Sequence, residues 1–330
     1  MIKRILLILT IFSFVFPTNK SGTAMFRWGE IETGTRALGM AGSQVASGNS
    51  ISSLPYNPAS IAYIEKSQVF VSKAAYLAET SHNTIAFGTQ LSPSDYLGIH
   101  LYYFDSGSMN ETSEAAGGET GQSFKFTGLM LRTAFAKQVT DRLKIGTTLK
   151  FMRENTTSAD LSASSFAVDV GSNFNTGIFG GTVLGMCISN FGPNARYKGD
   201  GLDIPGEETG DPSQGQEKTE YFPIPLTFRV GIMNHIIGPS LDAIINNPNH
   251  TLTLSFDFIN PLDYQLYETM GMEYSWNEMF FVRSGYHLNH DTAGLSFGAG
   301  LEYKNIALDF AYANYQILKS TWQFGISYGF

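Results

Sequence analysis

Residues 294–330 read GLSFGAGLEYKNIALDFAYANYQILKSTWQFGISYGF, three runs in which large apolar side chains take every second position. In 321–330, Trp322, Phe324, Ile326, Tyr328 and Phe330 alternate with Thr321, Gln323, Gly325, Ser327 and Gly329. In 306–313, Ile306, Leu308, Phe310 and Tyr312 alternate with Ala307, Asp309, Ala311 and Ala313. A period of two sends the two sets to opposite faces of a β-strand. A soluble β-sandwich also alternates, but its wet face carries Lys, Glu and Thr. Here the face opposite the bulky residues is rich in Gly, Ala and Ser. A transmembrane barrel, with lipid on one side of each strand and a lumen on the other, fits that composition better.

Working toward the N-terminus, the pattern repeats at 251–258, 226–232, 143–151 and 97–103. The runs predict about fourteen strands, near 67–78, 82–92, 95–105, 123–137, 142–153, 162–175, 179–190, 223–233, 250–260, 266–276, 279–288, 293–304, 305–315 and 319–330. An even count suits a single-chain bacterial barrel. The tight turns at 92–95, 140–142, 276–278 and 304–305 fall on one side, and the long connections 106–122 and 191–222 on the other. Short periplasmic turns and long outer loops are the rule for such barrels. The insertion at 234–249 breaks it, with a short helix expected over 240–246. Composition agrees: 25 Phe and 16 Tyr accompany only 15% charged residues, against roughly 25% in soluble domains. The expected fold is an all-β, antiparallel transmembrane barrel spanning 67–330, integral to the bacterial outer membrane. Trp322, Tyr328 and Phe330 form the expected C-terminal signal read by the barrel-assembly machinery; membrane lipid is the other expected partner.

Residues 1–24 look like a secretory signal: Lys3 and Arg4, an apolar run from Ile5 to Phe16, then small residues ending at Ala24. The run is too short to span a bilayer as a helix, which takes about 20 residues. Residues 25–66 are different again. The segment GTRALGMAGSQVASG, 34–48, is followed by SLPYNPASIAYIEKS, 53–67. Its small residues permit close packing in a confined space, and Pro58 biases Asn57 away from helix. With apolar residues such as Leu38, Met40 and Val45 among them, they read as an ordered segment ahead of the barrel rather than a flexible leader.

The stretches TGTRALGMAGSQVAS (33–47) and NSISSLPYNPASIAYIEKSQV (49–69) resemble the start of the PorV/PorQ family, relatives of the FadL-type fatty-acid channels. The lead at Gly34 to Gly42, followed by Asn57-Pro58-Ala59, carries the likeness. FFVRSGYHLN (280–289) and PIPLTFRVGI (223–232) extend it into the barrel. The resemblance implies a FadL-like barrel of fourteen strands whose lumen is plugged by an N-terminal hatch, residues 25–66, including Arg36, Gly39, Met40, Gly42, Asn57, Pro58 and Ala59. It also implies a type IX secretion-linked role, binding a translocon partner or the C-terminal domain of cargo. The alternative it implies is a FadL-like channel for a hydrophobic ligand.

Several charges fall on lumen-facing positions: Arg132, Lys144, Lys150, Arg229, Asp257, Glu273, Arg283, Glu302 and Asp309. An Arg or Lys facing lipid at mid-depth costs about 2–4 kcal/mol, so these point inward, and their mixed signs suggest pairs that brace wall and hatch. The acidic loops 191–222 and 106–122 read as solvated and mobile; calcium is conceivable in the first, but its spacing fits no known loop. With Cys187 alone there is no intramolecular disulfide. His287 and His290 flank a turn and make a poor metal pair. A net charge of −8 without a basic stripe argues against nucleic acid. No G-x-S-x-G occurs; neither enzyme activity nor a cofactor is expected.

Overall fold

Alternation becomes a closed wall in the computed structural model, which describes residues 22–115, 117–157, 160–202, 219–239 and 243–330. The signal-peptide reading of 1–24 therefore lies almost wholly outside the described residues. Fourteen long strands follow one another: β1 Ser67–Ala75, β2 Ser81–Gln90, β3 Asp95–Asp105, β4 Phe126–Gln138, β5 Leu143–Thr156, β6 Leu161–Asn175 and β7 Val183–Phe191. Then come β8 Thr227–Gly238, β9 His250–Pro261, β10 Tyr267–Trp276, β11 Phe280–Leu288, β12 Leu295–Tyr303, β13 Ile306–Asn314 and β14 Ser320–Gly329. Each pairs antiparallel with its neighbour, and β14 returns to β1 in the register Gln68↔Gly329 through Ala75↔Trp322. Closure leaves no free sheet edge, the condition for β-structure in hydrocarbon.

The two faces separate as the alternation requires. Ile85, Leu149 and Val170 are each 56% exposed on the outside, and every long strand presents such residues there. A soluble fold would bury them; an apolar outer wall of this kind is solvated by lipid. The chain is thus an integral outer-membrane β-barrel. Lys73 and Arg153 also point outward, but both sit close to the outer ends of β1 and β5, where long cationic side chains reach the headgroup region.

Phe330 continues β14 past Gly329. Its N–H donates to the Ser67 carbonyl at 3.0 Å and its carbonyl accepts from Ser67 at 3.1 Å, while its ring stacks on Tyr328 at 5.5 Å. Deleting Phe330 removes both bonds at the closing seam and the expected assembly signal. The amount of heat-modifiable barrel in the outer membrane should fall severalfold; wild-type levels would contradict that role.

Three connections depart from the sequence reading. The loop expected to be mobile over 106–122 contains a hairpin, Met109–Ser113 against Gly118–Phe124, with a register shift between Asn110 and Thr112. Its turn is made by Gly117 at φ +67° and Gly118 at φ +154°, conformations open to glycine but costly for other residues. Instead of the helix expected over 240–246, Ile245–Asn246 runs parallel to Ile237–Gly238, a strand pairing that satisfies its backbone; residues 240–242 lie outside the described set. The acidic loop's 203–218 also lies outside it. Its flanks fold back onto the rim, Lys198–Gly199 pairing with Leu161 and Ser162.

Candidate functional site

Residues 25–64 run inside the barrel, and about three-quarters of them are buried. A single helical turn, α1 (Thr35–Gly39), packs against β12 and β13. It ends through Met40, Ala41 and Gly42, the last at φ +75°, where its N–H donates to the Ala37 carbonyl at 2.8 Å. Glycine at this left-handed position is the usual way to stop a helix and turn the chain.

Glycines on the inner wall make room for this backbone. A Cβ on Gly285 would lie 2.5 Å from the Ala41 nitrogen, and one on Gly146 would lie 2.6 Å from the Ala59 nitrogen. Gly39 meets Gly298 in the same manner, 3.1 Å from its Cα. The small-residue face visible in the sequence is therefore the seat of residues 25–64.

Asn57 is the polar hub of the second half. Its backbone is extended, and its Oδ1 accepts from the Ala59 N–H at 3.0 Å, capping the 3-10 turn Pro58–Tyr63. Its Nδ2 donates to the Val45 carbonyl at 2.8 Å and to the Ser172 carbonyl of β6 at 3.1 Å. Asn57→Ala takes a donor from the buried Val45 carbonyl and the half-buried Ser172 carbonyl and should lower stability by about 1–3 kcal/mol. Asn57→Asp, which keeps the acceptor and loses the donor, should be at least as damaging. Denaturant midpoints of the refolded barrel check both; an unchanged Asn57→Asp midpoint would contradict the assignment.

The inward charges are organised around the inner segment. Arg36 grips Glu273 of β10 with two bonds, 2.9 and 2.8 Å, and its remaining nitrogen reaches Gln44 and the Ser47 carbonyl. Glu273 also accepts from Arg283 at 2.5 Å, and Arg283 in turn pairs with Asp309. Arg229 binds Glu30 at 3.0 Å. Asp257 accepts from the Val45 N–H at 2.9 Å. Glu32 lies between His287 at 3.1 Å and the Tyr315 hydroxyl at 3.0 Å. Arg132 is 1% exposed, donates to His100 Nδ1 at 3.1 Å, and points its other arm at the Gly29 carbonyl. Lys150 pairs with Asp169 at 2.8 Å, and Lys144 lies over the Tyr63 ring at 4.2 Å. Cys187 is buried within β7 beside Ser189.

Gly39, Met40, Pro58 and Ala59 are buried against the wall; Trp322, Tyr328 and Phe330 face outward on or beyond β14. The sequence reading did not single out Glu30, Glu32, Trp28 or Glu154. For Glu154 a signal existed, since continuing the alternation of 143–151 puts it on the face of Lys150 and Met152.

Two cavities flank the inner segment. The periplasmic one, about 710 Å³, is polar and charged, with Arg36, Lys66, Glu302, Lys304 and Asp309 among its lining residues. The outer one, about 460 Å³, is aromatic. There Trp28 stacks with Tyr102 at 5.7 Å and Phe104 at 6.4 Å, and Phe104 meets Phe126 edge-on at 6.1 Å. Its carboxylate, Glu154, accepts from Trp28 Nε1 at 2.9 Å and the Tyr197 hydroxyl at 2.5 Å. Burial, helped by that carboxylate, pushes the Tyr197 phenol above its usual range, so it remains a neutral donor.

A closed fourteen-stranded wall around a folded N-terminal segment defines the class: an outer-membrane barrel of the FadL-like fold. Among solved structures it is similar to the toluene transporter TodX of Pseudomonas putida, with 12% identity over 94% of this chain and 98% of that one and a TM-score of 0.62. A FadL homologue of Pseudomonas aeruginosa matches at 15% identity, 90% and 98% coverage and a TM-score of 0.56. No family model and no curated protein matches the sequence. At such identities the likeness speaks for the fold.

Proposed function

We propose that this barrel is a channel for hydrophobic small molecules, with residues 25–66 as its hatch and the outer aromatic pocket as the point of entry. The pocket carries the reading. Its volume of about 460 Å³ lies within the range of small-molecule sites, and mostly apolar walls with few placed polar groups are their usual make-up. The pocket opens directly onto the hatch, since Met25, Phe26 and Trp28 line it. A general porin needs an open aqueous lumen, and here Asn57, Arg36 and Met40 sit where that water would run. Among the similar structures TodX is described as a toluene transporter and as a monoaromatic hydrocarbon channel, which agrees with this use of the fold. No catalytic role is part of the proposal.

Binding of naphthalene to the purified barrel, followed by its fluorescence, tests the reading. Trp28→Ala removes the stacked ring and should weaken binding by about tenfold. No saturable binding to the wild-type barrel would overturn the channel. The secretion-linked reading, in which the barrel binds a type IX translocon or cargo domain, draws on the sequence likeness at 33–69 and 280–289. Co-purification of a large translocon barrel or cargo from solubilised outer membrane would favour it instead.

A further inference from the structure

We propose that the periplasmic rim between β6 and β9 holds a phospholipid of the inner leaflet, with Ile178 and Phe179 among its acyl chains and Arg142 on its phosphate. The inference is independent of what the barrel conducts. It gives a use to the insertion at 234–249, the connection that breaks the rule of short periplasmic turns. The turn 176–182 joins β6 to β7 and leaves Phe179 80% and Ile178 59% exposed. That turn is firmly held. The Ile178 carbonyl accepts from the Thr182 N–H at 3.0 Å. Asn234 of β8 donates to the Phe179 carbonyl and to the Thr182 hydroxyl, both at 2.7 Å. Phe179 takes φ +50°, a left-handed conformation that costs a non-glycine residue about 1–2 kcal/mol. A phenyl ring left in water does nothing to offset this cost; one placed among acyl chains does.

The insertion joins this patch to the lipid-facing wall. Ile245 is the register partner of Ile237, whose partner on β9 is Leu252. Partners across a sheet share a face, and Leu252 has the parity of Leu254 and Phe258, both exposed on the outer wall. Ile245 therefore continues that wall toward the periplasm. The N–H of its neighbour Ile244 donates to the His235 carbonyl at 3.1 Å, one residue from Asn234, so insertion and turn lie side by side. Arg142, from the β4–β5 turn, completes the site. Its guanidinium lies against Gly177, where an added Cβ would stand 2.8 Å from Nη1. It is exposed, and no carboxylate pairs with it among the described residues. A guanidinium fork matches a phosphate. Apolar side chains continuous with the lipid-facing wall and bordered by an unpaired cation match a phospholipid, whose tails meet the wall and whose phosphate lies at the rim.

The test uses the full-length barrel carrying Cys187→Ser, in vesicles of phosphatidylethanolamine and phosphatidylglycerol. A nitroxide is attached at Phe179→Cys, at Ile178→Cys or, as the aqueous reference, at Lys304→Cys, since Lys304 lines the polar periplasmic cavity. Heat-modifiability confirms that each labelled barrel is folded. The labels at 178 and 179 should collide severalfold more often with oxygen than with a nickel chelate, because hydrocarbon excludes the polar chelate. The label at 304 should show the reverse. In native mass spectrometry the barrel should carry phosphatidylglycerol through detergent washing. Arg142→Gln should lower that retention about fivefold, the loss of one cation at an anionic lipid surface, and Arg142→Lys should lower it less. Labels at 178 and 179 as open to the chelate as the one at 304 would overturn the proposal and leave the rim to a protein partner. Retention of phosphatidylglycerol unchanged by Arg142→Gln would overturn it as well, since the headgroup would then be held by something else.

Discussion

Gly285→Val should displace the hatch or block assembly of the barrel, the largest effect expected of any single substitution here. The added Cβ would lie 2.5 Å from the Ala41 nitrogen, and that atom belongs to a backbone already locked by the turn through Gly42. A flexible side chain could move aside; this backbone cannot do so without leaving its seat. Overpacking a well-fitted interior costs about 1–3 kcal/mol when side chains can adjust, and more when they cannot. Two readouts separate the outcomes. If the wall still closes around a displaced hatch, the heat-modifiable barrel persists, residues 25–66 become accessible to protease, and steady conductance appears in planar bilayers. If the hatch templates closure, the folded band is lost. A protected, non-conducting barrel at wild-type levels would contradict the packing argument.

Glu273→Ala is the second. This carboxylate is held by Arg36 from the inner segment and Arg283 from β11, so its loss takes a partner from two largely enclosed guanidiniums. Removing one partner of a buried ion pair typically destabilises by about 3–5 kcal/mol, because the remaining charge cannot return to water. Arg283 keeps Asp309 and is partly compensated; Arg36 keeps only Gln44 and the Ser47 carbonyl, both neutral. The hatch should therefore loosen first near α1, read as faster hydrogen exchange over 35–47 before the wall unfolds in denaturant. Equal protection in the variant and the wild type would show that packing alone holds the segment. Glu273→Gln, which keeps the shape and removes the charge, should fall between the two.

Much of the wall could be read from the chain. The expected strands overlap the observed ones throughout, and for β3 the bounds coincide at 95–105. Alternation survives folding because it is a local property: each residue's face follows from its parity along the strand, whichever strand lies beside it. The inward charges were legible for the same reason, since lipid excludes them from the outer face. The short pairing at 245–246 was not, because two residues carry no periodicity and their partner strand supplies the bonds.

By itself the sequence determined a membrane barrel of about fourteen strands, the side on which its long loops lie, and a glycine-rich segment ahead of the wall. Which groups meet was decided only by the tertiary structure. Arg36 and Glu273 stand 237 positions apart, and Trp28 and Glu154 stand 126 apart. No spacing rule links such pairs; they are neighbours because the wall closes around residues 25–64. The aromatic pocket and its carboxylate exist only as a product of that closure, assembled from the N-terminal segment, β3, β4, β5 and an outer loop, none of which carries the site alone.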